Sequence, residues 1–300
     1  MSALNLAVAL LLAPLMLGLV TRVKARFAGR AGAPLLQPYH DVIKLFRKGS
    51  VFSRTTTWVF RAGPVVGLAT AMLATLLVPF GGQKAAIAFE GDVVLFAYLL
   101  GLGRFCTVAA ALDTGSSFEG MGAAREATYS SLAEPALFLS LAVLARFSGS
   151  LSLSSMLGEG LVAQWARSGA SLALVVAALF VVLLAENSRI PVDDPTTHLE
   201  LTMIHEVMVL DHGGPALGMI HWGAAVKLFV LGAVVARIIL PLGAGAPLLG
   251  WAAFLGAQLA IAIAVGVVES VMARLRLSQV PSLLVAACLL SAFAVVLVSR

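Results

Sequence analysis

The stretch 169-GASLALVVAALFVVLLAENSRIPVDD-194 places a long apolar run directly before a charged segment. Residues 169–185 contain no charged side chain and would extend over about 25 Å as an α-helix, close to the thickness of a bilayer's hydrocarbon core. Beyond them, the window 186–211 holds six of the chain's fifteen acidic residues. Those six are Glu186, Asp193, Asp194, Glu200, Glu206 and Asp211. The pattern predicts a membrane span that ends in a functional, water-facing loop.

The composition of the whole chain agrees with a membrane protein. Hydrophobic residues make up 60% of it and charged residues 12%, whereas soluble domains carry about 25% charged residues. The net charge of +5 does not indicate a nucleic-acid partner, because the basic residues concentrate in residues 22–54, beside a predicted span. Cys106 and Cys288 both fall in apolar runs, with neither a disulfide framework nor metal-ligand spacing.

Eight apolar runs have the length needed to cross a bilayer. They are 3–20, 58–80, 93–112, 130–147, 169–186, 218–241, 247–268 and 281–298. The sequence therefore predicts an all-α integral membrane protein, in which residues 1–300 form one transmembrane bundle of about eight helices. The first run lacks a preceding basic region and a cleavage site, so we interpret it as a retained span and not a signal peptide.

The distribution of basic residues predicts the orientation. The loops 21–57, 113–129, 187–217 and 271–280 hold twelve Lys and Arg residues, and the opposite set holds Lys84, Arg167 and Arg300. Basic loops face the cytoplasm. Both termini are thus expected on the periplasmic side of the inner membrane, and the charged loop 187–217 in the cytoplasm.

Residues 35–48 are too short and too charged to span a membrane. Val42, Leu45 and Phe46 share one helical face, and His40, Lys44 and Lys48 share another. The candidate functional residues of this helix are His40, Asp41 and Lys44. This pattern predicts a cytoplasmic-side amphipathic helix in the lipid interface. A simple membrane-surface anchor explains the pattern equally well.

Two basic residues, Arg104 and Lys227, lie deep within predicted spans, where a charge requires a partner or a hydrated cavity. Arg61, Arg146 and Arg237 lie nearer span ends and are expected to snorkel toward water. The candidate partners are acids in or at the ends of spans, namely Asp113, Glu134, Glu186 and Glu269. These groups could form a proton path, or the two bases could neutralise Glu134 and Glu186 in a static cluster. Spacing alone leaves both interpretations open.

The charged loop itself predicts a turn followed by a helix. Pro191 and Pro195 exclude a continuous helix over 187–196, and Thr196 or Thr197 could cap a helix that begins near His198. His198, His205 and His212 then recur every seven residues, but the spacing does not match a zinc-protease motif, and we expect no metal site in this chain. Arg189 could pair with Glu186 across one helical turn.

Four motifs in order resemble the family of membrane subunit 1 of respiratory complex I, the NADH-quinone oxidoreductase. They are 32-GAPLLQPYHDVIKL-45, Arg125 with Glu134, 186-ENSRIPVD-193 and 274-RLRLSQ-279. A second set of short motifs is similar to those of the branch found in group 4 membrane-bound nickel–iron hydrogenases. These motifs are 112-LDTGS-116, 124-ARE-126, 191-PVDDPTTHLE-200 and 205-HE-206.

The resemblance implies a membrane subunit that anchors a soluble redox arm and couples electron transfer to proton or ion translocation. The implied partners are a hydrogenase-like large subunit, an iron–sulfur small subunit and antiporter-like membrane subunits, and these would hold the nickel–iron centre and the iron–sulfur clusters. The predicted proton path comprises Arg104, Asp113, Glu126, Glu134, Glu186 and Lys227. The predicted docking residues are Arg125, Arg189, Asp193, Asp194, Glu200, His205, Glu206 and Asp211.

Two alternatives remain. The chain could bind quinone in a complex I-like dehydrogenase, although Thr196, Thr197 and His198 stand where complex I subunits are richer in acids, which argues against a quinone. The chain could also be a free-standing transporter. No cofactor is expected in this chain itself, which lacks Cys-x-x-Cys and haem-ligation patterns.

Overall fold

The fold, taken from a computed structural model, is described for residues 2–194, 201–241 and 247–299, and these ranges contain helices and no β-strand. The α-helices in chain order are α1 (Ser2–Phe27), α2 (Gln37–Phe46), α3 (Trp58–Leu77), α4 (Asp92–Asp113), α5 (Ser117–Ser148), α6 (Leu153–Met156), α7 (Gly160–Glu186), α8 (Gly214–Ile239), α9 (Pro247–Val271) and α10 (Val280–Ser299). A short 3₁₀ turn covers Glu206–Val209.

Eight helices in the described ranges are long and apolar enough to cross a membrane: α1, α3, α4, α5, α7, α8, α9 and α10. The predicted all-α class and the eight spans are therefore confirmed. The short helix α2 lies within the predicted range 35–48, with Pro38 in its first turn.

Three spans are longer than the apolar runs that predicted them. The helix α5 begins at Ser117 and not at 130, so most of the predicted loop 113–129 is helical. The helix α7 begins at Gly160 and not at 169, with a break in its backbone at Ser168, and α1 continues to Phe27. Backbone hydrogen bonding does not require apolar side chains, so a helix continues through charged residues where these find partners.

The helix α8 is the centre of the bundle. Within its most apolar window 78% of the residues are buried, against 22–44% in the other spans. It packs against α1, α2, α3, α7 and α9. Its basic residues therefore lie inside the protein. Arg237, expected to snorkel, is 3% exposed and donates from Nη2 to the Leu157 carbonyl oxygen at 2.7 Å.

Small residues allow α3 and α4 to approach closely. A Cβ atom added at Gly63 of α3 would lie 2.7 Å from the Ala110 Cβ atom, and one added at Gly103 of α4 would lie 2.7 Å from Thr70 Oγ1. Small-residue contacts of this kind are typical of helix pairs in membranes. They set α4 in the position from which Arg104 reaches its partners.

The loop after α7 differs from the prediction. Thr196, Thr197 and His198 lie outside the described residues, and residues 201–213 form turns around the 3₁₀ segment, with no α-helix. The predicted helix is therefore wrong over this range. The physical reason is that the backbone N–H groups of Ile204 and His205 donate to Asp193 Oδ2, at 3.1 and 3.0 Å, and are not available for helical bonds.

Candidate functional site

Arg104 is the focus of a group of buried charges near the middle of the bundle. It lies twelve residues, or about 18 Å, along α4 from the N-terminal end of that helix. Its guanidinium forms ion pairs with Glu126 at 3.5 Å, Glu134 at 2.5 Å and Glu186. Lys227 Nζ lies 3.5 Å from Glu186 Oε2. We call these five residues, contributed by α4, α5, α7 and α8, the central charge cluster.

Local sequence explains how the acids converge. Glu126 and Glu134 are eight residues apart on α5, slightly more than two turns, so both face α4. Glu186 is the last residue of α7, and its side chain is 4% exposed. The structure thus unites five of the six residues predicted for the proton path.

The charges of this cluster do not balance. Three carboxylates face two cations, so the fully ionised cluster would carry one surplus negative charge. A single shared proton would neutralise it, and an arginine that contacts three carboxylates leaves that proton several alternative positions. The cluster therefore contains both the ion pairs of the static interpretation and the spare carboxylate that proton transfer requires.

The central charge cluster forms part of the wall of a cavity of about 450 Å³. This central cavity lies between α1, α2, α3, α4, α7 and α8, and the segments 187–189 and 205–206 border it. Its other walls are largely apolar, with Pro14 and Leu17 from α1 and Leu45 from α2. Asp41 of α2 also lines the cavity, while its carboxylate accepts a hydrogen bond from Gln37 Nε2 at 2.8 Å.

His205, predicted to contact a docking partner, instead lines the central cavity. Burial, reinforced by the positive charge of Lys227, lowers the pKa of His205 to about 4. The imidazole is therefore neutral near pH 7. His221 of α8 also lines the cavity and was not predicted, although a histidine within the apolar run 218–241 is itself a signal of a polar interior.

A second group of charges lies at the ends of α1 and α9. Glu269 Oε2 is 2.9 Å from Lys24 Nζ, and Glu269 Oε1 is 3.4 Å from Arg189 Nη1. The predicted pairing of Arg189 with Glu186 is therefore wrong, because Glu186 faces Arg104. Glu269 is likewise separate from the central charge cluster and ties α1, α9 and the loop after α7 together.

Asp113 was predicted in the proton path but caps a helix. Its Oδ2 atom accepts hydrogen bonds from the backbone N–H groups of Thr57, at 2.6 Å, and Phe60, at 3.2 Å. Its Oδ1 atom accepts from Thr57 Oγ1 at 2.8 Å. These bonds satisfy free N–H groups in the first turn of α3. Asp113 therefore has no contact with Arg104 and joins α4 to α3 instead.

Asp193 was predicted on an exposed docking turn, but it is 1% exposed. Besides the two N–H groups in the loop, it accepts from its neighbour Asp194 N at 2.9 Å and pairs with Arg274 Nη2 at 2.9 Å. Arg125 of α5 donates to the carbonyl oxygens of Met203 and Leu201 at 2.6 and 2.7 Å. The role of these residues in the structure is to fix the loop on α5 and on the 272–279 segment.

The remaining predicted residues divide by exposure. Asp194 is half-buried, Glu206 lines the central cavity, and Asp211 is exposed. Glu200 lies outside the described residues. His40 and Lys44 are exposed on α2. The exposed apolar side chains of Leu201 and Leu210, 68% and 46% exposed, were not predicted and lie in the same loop.

Glu119 is a buried acid that no sequence pattern indicated. It is fully buried on α5, and its Oε1 atom accepts from the Asp211 backbone N–H at 3.0 Å. It does not contact the central charge cluster. Across the described residues no three His, Cys, Asp or Glu side chains are arranged to hold a metal ion.

The chain is similar to known membrane subunits over its whole length. A family model described as NADH dehydrogenase matches residues 1–300. Hydrogenase-4 component C of Escherichia coli K12 is 32% identical over 234 residues, which cover 78% of this chain and 73% of that protein. Formate hydrogenlyase subunit 4 of the same organism is 30% identical over 276 residues, which cover 90% and 88%. The predicted resemblance is confirmed.

A solved structure has the same fold. One chain of the membrane-bound sulfane sulfur reductase, an archaeal respiratory membrane complex, superposes with a TM-score of 0.84 at 24% sequence identity. The superposition covers 99% of this chain and 98% of that one. At this identity the likeness describes the fold alone.

Proposed function

We propose that this chain, which belongs to the NADH dehydrogenase family of complex I-like membrane subunits, anchors a soluble redox arm and passes protons through the central charge cluster. The observation that carries the proposal is the contact of Arg104 with Glu126, Glu134 and Glu186. Of these residues, Arg104, Glu126 and Glu186 line the central cavity. A spare carboxylate beside a hydrated space is the arrangement that a proton relay requires.

The exposure of Glu134 supports a lateral exit for the proton. Its side chain is 45% exposed although it lies within a membrane-spanning helix. A carboxylate that faces hydrocarbon is costly, so this surface of α5 fits against a neighbouring membrane subunit, of antiporter-like type. Protons would pass from the central cavity through Glu186 and Glu126 to Glu134.

The soluble partners would dock at the loop after α7. The exposed Leu201, Leu210 and Asp211 are the contacts we propose there, since Asp193 and Arg125 are engaged within the chain. The partners would be a hydrogenase-like large subunit and an iron–sulfur small subunit. They, and not this chain, would hold the nickel–iron centre and the clusters, and the complex would lie in the cytoplasmic membrane.

Substitution of Glu186 by Gln tests the relay. Glu186→Gln keeps the size and hydrogen-bonding oxygen of the side chain but removes its proton exchange. We expect proton translocation per electron to fall about 100-fold or more, the scale typical of lost acid–base groups, while the complex still assembles. The measurement is pH-dye quenching in liposomes that contain the whole complex, driven by reduced methyl viologen, together with co-purification of the soluble subunits.

Glu119→Gln is the matched control. Glu119 is also a buried acid on a spanning helix, but it lies outside the central charge cluster. Translocation should be retained in this variant. Wild-type translocation by assembled Glu186→Gln complex would disprove the relay, and an equal loss in both variants would assign the effect to packing.

Quinone binding is the second candidate function, and the central cavity favours it. A volume of about 450 Å³, with apolar walls beside the central charge cluster, is within the range of small-molecule sites. Inhibition of the complex by quinone-site inhibitors, and reduction of added quinone, would support this candidate. Proton reduction that such inhibitors leave unchanged would support the hydrogenase-type role.

A further inference from the structure

We propose that the outward surface of α2 binds the phosphate of an anionic phospholipid headgroup. This site, which we call the α2 cationic face, consists of His40, Lys44, Arg47 and Lys48. It is separate from the central cavity and independent of the proton relay. The partner is a component of the bilayer itself.

The positions of these residues create a groove. His40 and Lys44 lie one turn apart on α2, and Arg47 and Lys48, three and four residues after Lys44, directly follow the end of the helix. All four are exposed, and with Ile43 they line a shallow surface groove. The opposite side of α2, with Val42 and Leu45, faces the bundle. The groove therefore points away from the protein.

The positive charges of this face, on Lys44, Arg47 and Lys48, are unpaired among the described residues. In the part of the chain that the structure describes, none of the four side chains forms an ion pair or a side-chain hydrogen bond. The acid on the same helix, Asp41, accepts a hydrogen bond from Gln37 instead. Asp41 is also the only acid in residues 1–89. The groove thus attracts an external anion.

Apolar side chains beside the cations identify the source of that anion as a lipid. Leu36, directly before the helix, and Ile43 are 53% and 51% exposed. They form an arc next to the cationic one. A helix that lies on an anionic bilayer has this pattern. Its apolar side chains enter the acyl-chain region, and the neighbouring basic side chains contact the phosphates. An acidic protein surface would leave the aliphatic arc without a partner.

The end of α1 carries a second basic group. Arg22 and Arg26 lie one turn apart, Arg30 follows, and all three are exposed without ion pairs among the described residues. They lie at the cytoplasmic end predicted for the first span. Basic clusters directly beside a span, or on an amphipathic helix, favour anionic headgroups, and here both occur together.

Lipid titration of the purified full chain tests the proposal. Native mass spectrometry of the delipidated protein would measure binding of phosphatidylglycerol, phosphatidylcholine and inorganic phosphate. The wild type should bind phosphatidylglycerol in preference to phosphatidylcholine. The variant Lys44→Gln/Arg47→Gln/Lys48→Gln should lose affinity for phosphatidylglycerol about 100-fold, since each of the three basic side chains near an anionic surface contributes roughly fivefold. Arg47→Gln alone should lose about fivefold and serves if the triple variant is not recovered.

Lys84→Gln/Arg146→Gln/Arg167→Gln is the matched control, because it removes three exposed positive charges elsewhere. It should bind phosphatidylglycerol as the wild type does. Equal binding of both lipids, an equal loss in the control, or displacement of the lipid by inorganic phosphate would each overturn the proposal. So would a triple variant that keeps the lipid but loses a co-purifying soluble subunit, because the groove would then be a protein contact.

Discussion

At the residue scale, Arg104 is stable in the membrane because its charge is shared. A lone charge at the bilayer centre costs about 2.5–3.5 kcal/mol on insertion scales. Arg104 contacts three carboxylates, two of them on α5, and its side chain is 10% exposed. Removal of the arginine would leave buried carboxylates unpaired and would cost about 3–5 kcal/mol. The conservative Glu186→Gln variant is therefore more informative about function than a variant of Arg104.

His212 predicts how stability depends on pH. Its ring stacks on Phe60, with centroids 3.9 Å apart and planes at 9°, and burial lowers its pKa from 6.5 to about 4. The unfolded chain then binds more protons between these values, so the stabilisation is complete above about pH 6.5 and is lost as pH falls toward 4. At pH 5.5 we expect a loss of about 1.4 kcal/mol from this residue.

The measurement is the unfolding temperature of the detergent-solubilised chain at pH 7.5 and 5.5. His212→Phe keeps the stacked ring without a titrating group, so its unfolding temperature should fall less on acidification. His205, whose pKa is also lowered to about 4, still contributes part of the pH dependence of the unfolding temperature in that variant. His40→Phe, at an exposed position on α2, is the control. The same pH dependence in His212→Phe as in the wild type would refute this account.

At the element scale, the contact between α3 and α4 depends more on Gly63 than on Gly67, the next glycine along α3. Gly63→Ala would place a methyl group 2.7 Å from the Ala110 Cβ atom and 3.2 Å from the Cys106 carbonyl oxygen. Since both contacts are rigid, we expect a loss of about 1–3 kcal/mol, seen as a lower unfolding temperature.

Gly67→Ala is the matched comparison on the same helix. No atom lies within 4 Å of a Cβ atom added at Gly67, so this change should be neutral or stabilise α3 by up to about 1 kcal/mol through helix propensity. Equal effects of the two substitutions would show that the α3–α4 contact is looser than the structure indicates.

Asp193 holds the loop after α7 in place. Asp193→Ala would remove the carboxylate that pairs with Arg274 and accepts from three backbone N–H groups, at a cost of about 3 kcal/mol. We expect faster proteolysis within 201–213, measured on the purified chain. Asp211→Ala, an exposed acid in the same loop, should leave the rate unchanged. Weaker docking in Asp193 variants would then follow from the disturbed loop, and an unchanged rate in Asp193→Ala would contradict this role.

Sequence patterns predicted where a helix starts when that helix begins directly with an apolar run. The spans at Trp58–Leu77 and Val280–Ser299 begin within one residue of the prediction. The start of α5 was missed by thirteen residues because Glu119, Arg125 and Glu126 interrupt the apolar run. Those side chains have partners inside the protein, which a single sequence does not display.

At the scale of the whole molecule, orientation in the membrane is a prediction that the charge distribution makes. In a background with Cys106→Ala and Cys288→Ala, Lys84→Cys should react with a membrane-impermeant maleimide on intact cells. Arg276→Cys should react only after lysis, because basic loops stay in the cytoplasm. Both positions are exposed. The opposite labelling pattern would reverse the predicted topology.

The sequence by itself determined the class of protein, its eight spans and its family, because burial in hydrocarbon requires long apolar runs that composition makes visible. It also identified Arg104, Lys227, Glu134 and Glu186 as charges in need of partners. Only the tertiary structure decided the pairing, since charges on α4, α5, α7 and α8 meet through packing and not through spacing along the chain. The same packing assigned Asp113 to a helix cap, Arg189 to Glu269 and Asp193 to the loop, three contacts made across distant segments.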